Sequence, residues 1–263
     1  MTKSKPKPEP KNTGPTLFCG DPHGQFHHII KAAGDTQASA VVLLGDMEPS
    51  RPMHLELSPI LDRVWWIPGN HDSDSNELWR NVFGSDLAHR NAHGRVVELP
   101  DGTRLAGLGG VFRWSVWYPT SSVRKAGTPA FRSRAEHTKA TPSDERWMGC
   151  GPLRKHWGTI YPDELDGLAD LRADMLVSHE APGYHPNGFE ILDSLAQAMG
   201  VKASVHGHHH DALDSSARWA AQGFESRGVG LRGVSARWPD GRWEVVVKGE
   251  LDDERNAQRT TRS

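Results

Sequence analysis

The 263-residue chain has only two cysteines, Cys19 and Cys150, and neither belongs to a Cys-x-x-Cys pair. Two thiols are too few to staple a fold of this size, so both are expected to be reduced, as in a cytosolic protein. Long apolar runs are missing as well: nothing approaches the roughly 18 residues of a membrane span, and the amino-terminus lacks the apolar stretch of a secretory leader. The expectation is a soluble, cytoplasmic protein with no membrane partner. Charge of one sign is also absent. A formal net charge of −2 excludes a strongly basic nucleic-acid binder, although it leaves local patches open. At the ends, apolar residues are scarce. Residues 1–15 alternate lysine with proline and residues 251–263 are polar, so both are expected as unstructured tails around one domain at 16–250, large enough to bury a core.

What the chain does have is histidine, concentrated in VHGHHH at residues 205–210. An internal histidine tract suggests metal ligation, but it needs partners elsewhere. They lie at the ends of short apolar runs of buried-strand length: TLFC (16–19), AVVLL (40–44), VWWI (64–67), MLV (175–177) and ASV (203–205). Each run is followed by a polar cluster, in order GDPHGQ, GDMEPS, PGNHD, SHEAP and HGHHH. The first three clusters are about 25 residues apart, the length of a strand, crossover helix and return strand. FHHIIKAAG (26–34) and PMHLELSPILDR (52–63) supply the helical stretches. Parallel strands joined this way align their carboxyl ends along one edge, and open α/β sheets bind ligands there. Two Asp-Gly hairpins, over 95–108 and 234–247, suggest a second sheet packed on the first.

The residues expected to converge are Asp21, His23, Asp46, Asn70, His179, His208 and His210. Carboxylate, imidazole and amide oxygen together suit Mn, Fe or Zn rather than Ca, Mg or Cu(I). Seven side chains exceed the needs of one tetrahedral zinc, whereas two ions sharing a carboxylate account for the number. His208 and His210 would face one side of an extended segment, with His209 pointing away. For His206 and His209, packing or hydrogen bonding to ligands outweighs ligation, and His27 and His28 read as an exposed helix face.

The ordered series D-x-H, G-D, G-N-H-D, a lone histidine after a strand and G-H-x-H resembles the calcineurin-like metallophosphoesterase superfamily over about residues 16–210. The resemblance implies an α/β fold of two stacked mixed β-sheets flanked by helices, a four-layer αββα sandwich. It implies two divalent metal ions, Mn foremost with Fe or Zn as alternatives. Asp21, His23, Asp46 and His210 would hold one; Asp46, Asn70, His179 and His208 would hold the other. Water activated by the pair would attack phosphorus, and His71 would act as the catalytic residue that protonates the leaving oxygen or stabilises its charge.

GDMEPSRP departs from the G-D-x-x-D-R-G motif of Ser/Thr phosphoprotein phosphatases, which weakens that substrate class and leaves Asp72 or Glu48 to orient His71. Asp74 reads as the start of a helix. Residues 113–155 carry nine basic and three acidic residues, a net of +6, interleaved with aromatics. They form either a flap that grips a nucleotide or a single strand, or a solvated loop whose aromatics pack on the sheet. YHPNG (184–188) is turn chemistry that could also line the pocket. The leading reading is hydrolysis of a phosphomonoester or phosphodiester of a nucleotide or other small phosphorylated compound. The alternatives are a nuclease acting on single strands and a non-catalytic scaffold.

Overall fold

The computed structural model describes residues 14–119 and 127–260. The disorder expected for residues 1–15 therefore lies outside the described residues as far as residue 13, and so do positions 120–126 of the 113–155 insertion.

Ten strands form two five-stranded sheets. In chain order they are Thr16–Cys19 (β1), Ala40–Leu43 (β2), Val64–Trp66 (β3), Arg95–Glu98 (β4), Arg104–Leu108 (β5), Met175–Ser178 (β6), Ala203–His206 (β7), Glu225–Gly228 (β8), Val234–Arg237 (β9) and Trp243–Val247 (β10). One sheet has the order β10-β9-β1-β2-β3 and the other β4-β5-β6-β7-β8. The runs β1-β2-β3 and β5-β6-β7-β8 are parallel, whereas β9 pairs antiparallel with both β1 and β10, and β4 antiparallel with β5. Each Asp-Gly turn thus extends a sheet that parallel strands already define; the hairpins do not make a second sheet of their own. All five apolar runs are strands, but three belong to one sheet and two to the other.

Side-chain alternation explains why the layers number four. Along β1 and β2, Leu17, Cys19, Val41 and Leu43 pack outward against the helix His27–Asp35, while Phe18, Val42 and Leu44 face the opposite sheet. In β5 and β6, Leu105, Met175 and Val177 meet them across the interface; Ala106, Leu108 and Leu176 turn out toward the helices Pro162–Ala169 and Glu190–Met199. Strands buried on both faces read as unbroken apolar runs because they are sandwiched twice. The result is helix, sheet, sheet, helix. β8, with the sequence ESRG, lacked an apolar signal because only its alternate residues are buried. No helix among the described residues is long and apolar enough to cross a membrane.

Two expectations need correction. The stretch 52–63 is not one helix: Met53–Glu56 is a single turn, and Ser58–Arg63, with proline in its first turn, is a 3₁₀ segment. The expected tail at 251–263 is not unstructured over its described part, because Asp252–Thr260 is a helix; residues 261–263 lie outside the described residues. Asp252 is 5% exposed and its carboxylate accepts from the Gly249 N–H at 2.9 Å. A single buried acid, invisible in a polar composition, ties this helix to the domain. Asp252→Ala is expected to lower stability by about 1–2 kcal/mol, measured by urea unfolding. An unchanged midpoint would mean the helix is not docked through this residue.

Candidate metal centre

The five polar clusters meet where the carboxyl ends of the two sheets face each other. His179, one residue past β6, donates from Nδ1 to the carbonyl of Leu44, one residue past β2, at 2.7 Å. That bond joins the sheets at the rim. Glycine permits the approach. A Cβ on Gly45, whose φ is +104°, would lie 2.3 Å from His179 Nδ1, and one on Gly69 would lie 2.2 Å from Asp46 Oδ1.

The loops are shaped by the carboxylates they carry. Asp21 accepts the His208 N–H through both oxygens, at 3.1 and 2.9 Å. Asp46 Oδ1 accepts the His71 N–H at 2.8 Å. Asp72 Oδ1 takes the Met47 N–H at 2.8 Å and the Glu48 N–H at 3.3 Å, while its Oδ2 takes the Gly69 N–H at 2.7 Å. To make such bonds the backbone bends hard. Among the described residues nine non-glycines have left-handed φ, and five of them are Asp21, His23, Asp46, His208 and His210. Strain gathered in this way marks a place where geometry is held for a purpose. It also corrects the expectation for 207–210. β7 ends at His206, and His208 (φ 68°) and His210 (φ 56°) sit in a turn rather than in an extended segment.

All seven predicted positions come together. Asp21, His23 and His210 form one group and Asp46, His179 and His208 another; within each, candidate donor atoms lie within 4.8 Å of one another. Asn70 joins the second group, its Oδ1 being 3.3 Å from His179 Nε2. The donors suit divalent cations. His23 Nδ1 is 2.7 Å from Glu48 Oε1, which turns Nε2 to the centre, where it lies 3.2 Å from His210 Nε2. Two nitrogens sharing a tetrahedral ion at about 2.0–2.1 Å each would lie about 3.3 Å apart. A carboxylate or carbonyl on the outer nitrogen is the usual orienting partner of a ligating histidine.

The remaining histidines sort themselves by contact. His206 is fully buried, with Nε2 2.6 Å from the Tyr184 hydroxyl. His209 stacks on His185 at 4.0 Å and belongs to neither group. His71 Nδ1 is 2.6 Å from Asp74 Oδ2, against 4.0 Å from Glu48 Oε1. Its partner is therefore Asp74, not Asp72 or Glu48. The sequence hid this because Asp74 precedes a helix whose cap is Ser75. Arg51 turns away to pair with Glu56 at 3.3 Å, so it offers no phosphate clamp of the phosphoprotein phosphatase kind.

Burial penalises charge throughout the site. It lowers His208 to about 3, with His179 adding to the effect, and lowers His210 to about 4, with His23 adding. Both rings are thus neutral and free to donate a lone pair. Burial raises the Asp21 carboxyl to about 8, only partly opposed by His179. For His179, burial acts downward, but Asp46 overcomes it and brings the pKa to about 10. Burial would also raise Asp46; His179 outweighs it and holds Asp46 below the usual carboxylate range. For His71, burial acts downward and the hydrogen bond to Asp74 outweighs it, so the pKa is raised.

These shifts fix the sign of a pH effect in the cation-free protein. Asp21 and His179 hold protons in the fold that the unfolded chain releases at about 3.9 and 6.5. The stability these two contribute therefore falls as pH climbs toward the folded values of about 8 and 10. The depressed His206, His208 and His210 act in the opposite sense until the unfolded imidazoles have lost their protons, above about 6.5. The depressed Asp46 contributes stability that is already complete above its unfolded value. Thermal melts of cation-free protein between about pH 7.5 and pH 9, above the unfolded histidine range, are expected to show a falling Tm, with added Mn²⁺ raising it most at the alkaline end. A Tm that is flat with pH and blind to Mn²⁺ would contradict this account.

Known proteins share both the sequence pattern and the fold. A family model described as "Calcineurin-like phosphoesterase" matches residues 14–212. An uncharacterized protein of Haemophilus influenzae is 36% identical over 219 residues, covering 83% of this chain and 92% of that protein. The crystal structure of TT1561 of Thermus thermophilus superposes with a TM-score of 0.55 at 16% identity, covering 89% of this chain and 99% of that one.

Proposed function

The chain belongs to the calcineurin-like phosphoesterase family, and on that premise we propose that it hydrolyses a phosphate ester of a nucleotide or other small phosphorylated compound at the seven-residue centre, with two divalent cations as cofactors. As a member of that family it is a hydrolase of phosphoric esters. The proposal assigns Asp21, His23 and His210 to one cation and Asn70, His179 and His208 to the other, with Asp46 between them. Manganese suits this mixed donor set best, with iron or zinc as alternatives. Such ions polarise the phosphoryl group and lower the pKa of water toward neutrality.

What the chain's own residues would do follows from their placement. Burial disfavours the charged ring of His71, but the hydrogen bond to Asp74 outweighs it and favours a proton on the ring, which is 46% exposed at the mouth of the site. It is suited to hand that proton to the leaving oxygen. Asp74 fixes the ring through Nδ1, so that Nε2 is the nitrogen left to meet substrate. The single observation that carries the reading is the pairing of two three-residue donor groups with this oriented histidine beside them.

The insertion favours a small substrate over a single nucleic-acid strand. Its cations are largely tied within the protein. Arg132 pairs with Asp166 at 2.9 Å and Arg134 with Glu164 at 3.3 Å. Arg154 donates to the Ser73 carbonyl at 2.9 Å and the Asp74 carbonyl at 2.7 Å. Among its described residues these three arginines are thus not free to follow a phosphate backbone.

His71→Ala is expected to retain two bound ions and to lose roughly 10²–10⁴-fold in turnover. Assays would use p-nitrophenyl phosphate and bis-p-nitrophenyl phosphate with Mn²⁺, and unchanged turnover on both would remove His71 from the mechanism. Asp74→Asn should cost less and lower the upper pKa of the pH–rate profile, since the neutral amide no longer favours the protonated ring. Asp46→Asn should weaken both ions in metal analysis of dialysed protein. Full retention of both would refute its bridging role.

A further inference from the structure

Arg113 begins the insertion at the rim of a cavity of about 420 Å³ that also exposes Asn70, His208, Tyr118 and Asn187. Among the described residues it has no carboxylate partner within ion-pair distance. Its side chain instead donates from Nε to Thr159 Oγ1 at 3.1 Å. Thr159 Oγ1 is in turn 3.2 Å from Nδ1 of the buried His156. Burial, reinforced by the nearby His137 and Lys155, keeps His156 neutral with a pKa of about 3. Its Nδ1 can therefore accept the threonine O–H while the threonine oxygen accepts from arginine. The guanidinium is held by one edge, and its Nη groups have no hydrogen-bond partner among the described residues. The carboxylates of Asp74, Glu180 and Asp46 act on this half-buried cation only from beyond ion-pair distance, which leaves its Nη edge open to an anionic ligand.

Beside it Trp114 is 59% exposed, the only large aromatic so exposed among the described residues. Its ring lies flat on Tyr118, with centroids 4.1 Å apart and planes at 10°. Tyr118 meets Phe189 edge-on at 5.2 Å, and Phe189 packs on Phe112 at 4.5 Å, both phenylalanines being buried. The exposed stack is thus anchored in the core; Tyr118 lines the first cavity and, together with Trp114 and Asn187, a second of about 620 Å³. An indole face left open on a rigid support, next in sequence to an arginine whose Nη groups are unbonded among the described residues, matches a planar ring carrying a phosphate.

We infer that Arg113 and the Trp114–Tyr118 stack form a substrate subsite that selects phosphate esters bearing a planar heterocycle, with the arginine gripping phosphate and the stack receiving the ring. The inference rests on the phosphoesterase reading above and names its substrate class as nucleotides. A sugar phosphate would fill the arginine position and leave the stack bare.

Isothermal titration calorimetry on the full-length, Mn-loaded His71→Ala protein would compare adenosine 5′-monophosphate with ribose 5-phosphate, which lacks only the base. The nucleotide is expected to bind tighter by on the order of tenfold, the scale of one base stacked on an aromatic. In the same background Trp114→Ala should erase that preference, and Arg113→Ala should weaken both ligands alike. Equal affinities, or a preference that survives Trp114→Ala, would overturn the subsite. Wild-type hydrolysis of p-nitrophenyl phosphate and bis-p-nitrophenyl phosphate, measured in parallel, separates the two failures. Hydrolysis together with equal affinities sinks the subsite alone. Failure to hydrolyse either ester sinks the phosphoesterase reading, while the calorimetric comparison still tests the ring platform.

Discussion

Asp46 and His179 meet at 3.4 Å between two sheets, with almost no exposure of either side chain. This buried contact governs the rest of the rim. Carboxylates taken out of water are expensive unless something compensates them. Here Asp21, Asp46 and Asp72 are all buried within reach of one another's charge. The compensation comes from backbone N–H groups of neighbouring loops, from His179, and on our reading from cations. Loops that would otherwise be free to vary are drawn into left-handed turns to supply those N–H groups.

Orientation comes from a surrounding layer of acceptors. Glu48 holds His23, the Leu44 carbonyl holds His179 and Asp74 holds His71. Each contact leaves the opposite ring nitrogen aimed inward. Asp72 acts differently: it touches no metal-group side chain but laces the loops after β2 and β3 together. Its position directly after the G-N-H sequence makes it look like a participant in chemistry, yet its hydrogen bonds are those of a structural brace.

The insertion divides its aromatics between two tasks. Trp147 packs against Trp79, and Phe131 lies on His137 at 4.1 Å, so these rings build a platform rather than a grip. Trp114 and Tyr118 remain at the cavity mouth. The helix Arg134–Ala140 and the tied arginines show the same economy, since Arg132, Arg134, Arg146 and Arg154 pair with carboxylates or bond main-chain carbonyls of the protein itself. A net charge counted along a segment therefore overstated what it offers to a partner.

By itself the sequence determined the five apolar strands, the two hairpins, the polar clusters that follow those strands and the choice of the seven residues proposed for the centre. Those depend on short-range pattern: a doubly buried strand must be apolar throughout, and a ligand placed at its end must be Asp, Asn or His. Tertiary structure alone decided that the clusters come from two facing sheets, that Asp74 rather than Asp72 or Glu48 steadies His71, that Arg113 lies at the cavity rim with no close ion pair, and that Asp252 anchors a final helix. Each of these depends on distances between segments far apart in the chain or on the direction of one side chain. A carboxylate's partner is set by which atom lies within about 3 Å of it, and composition and spacing carry no record of that.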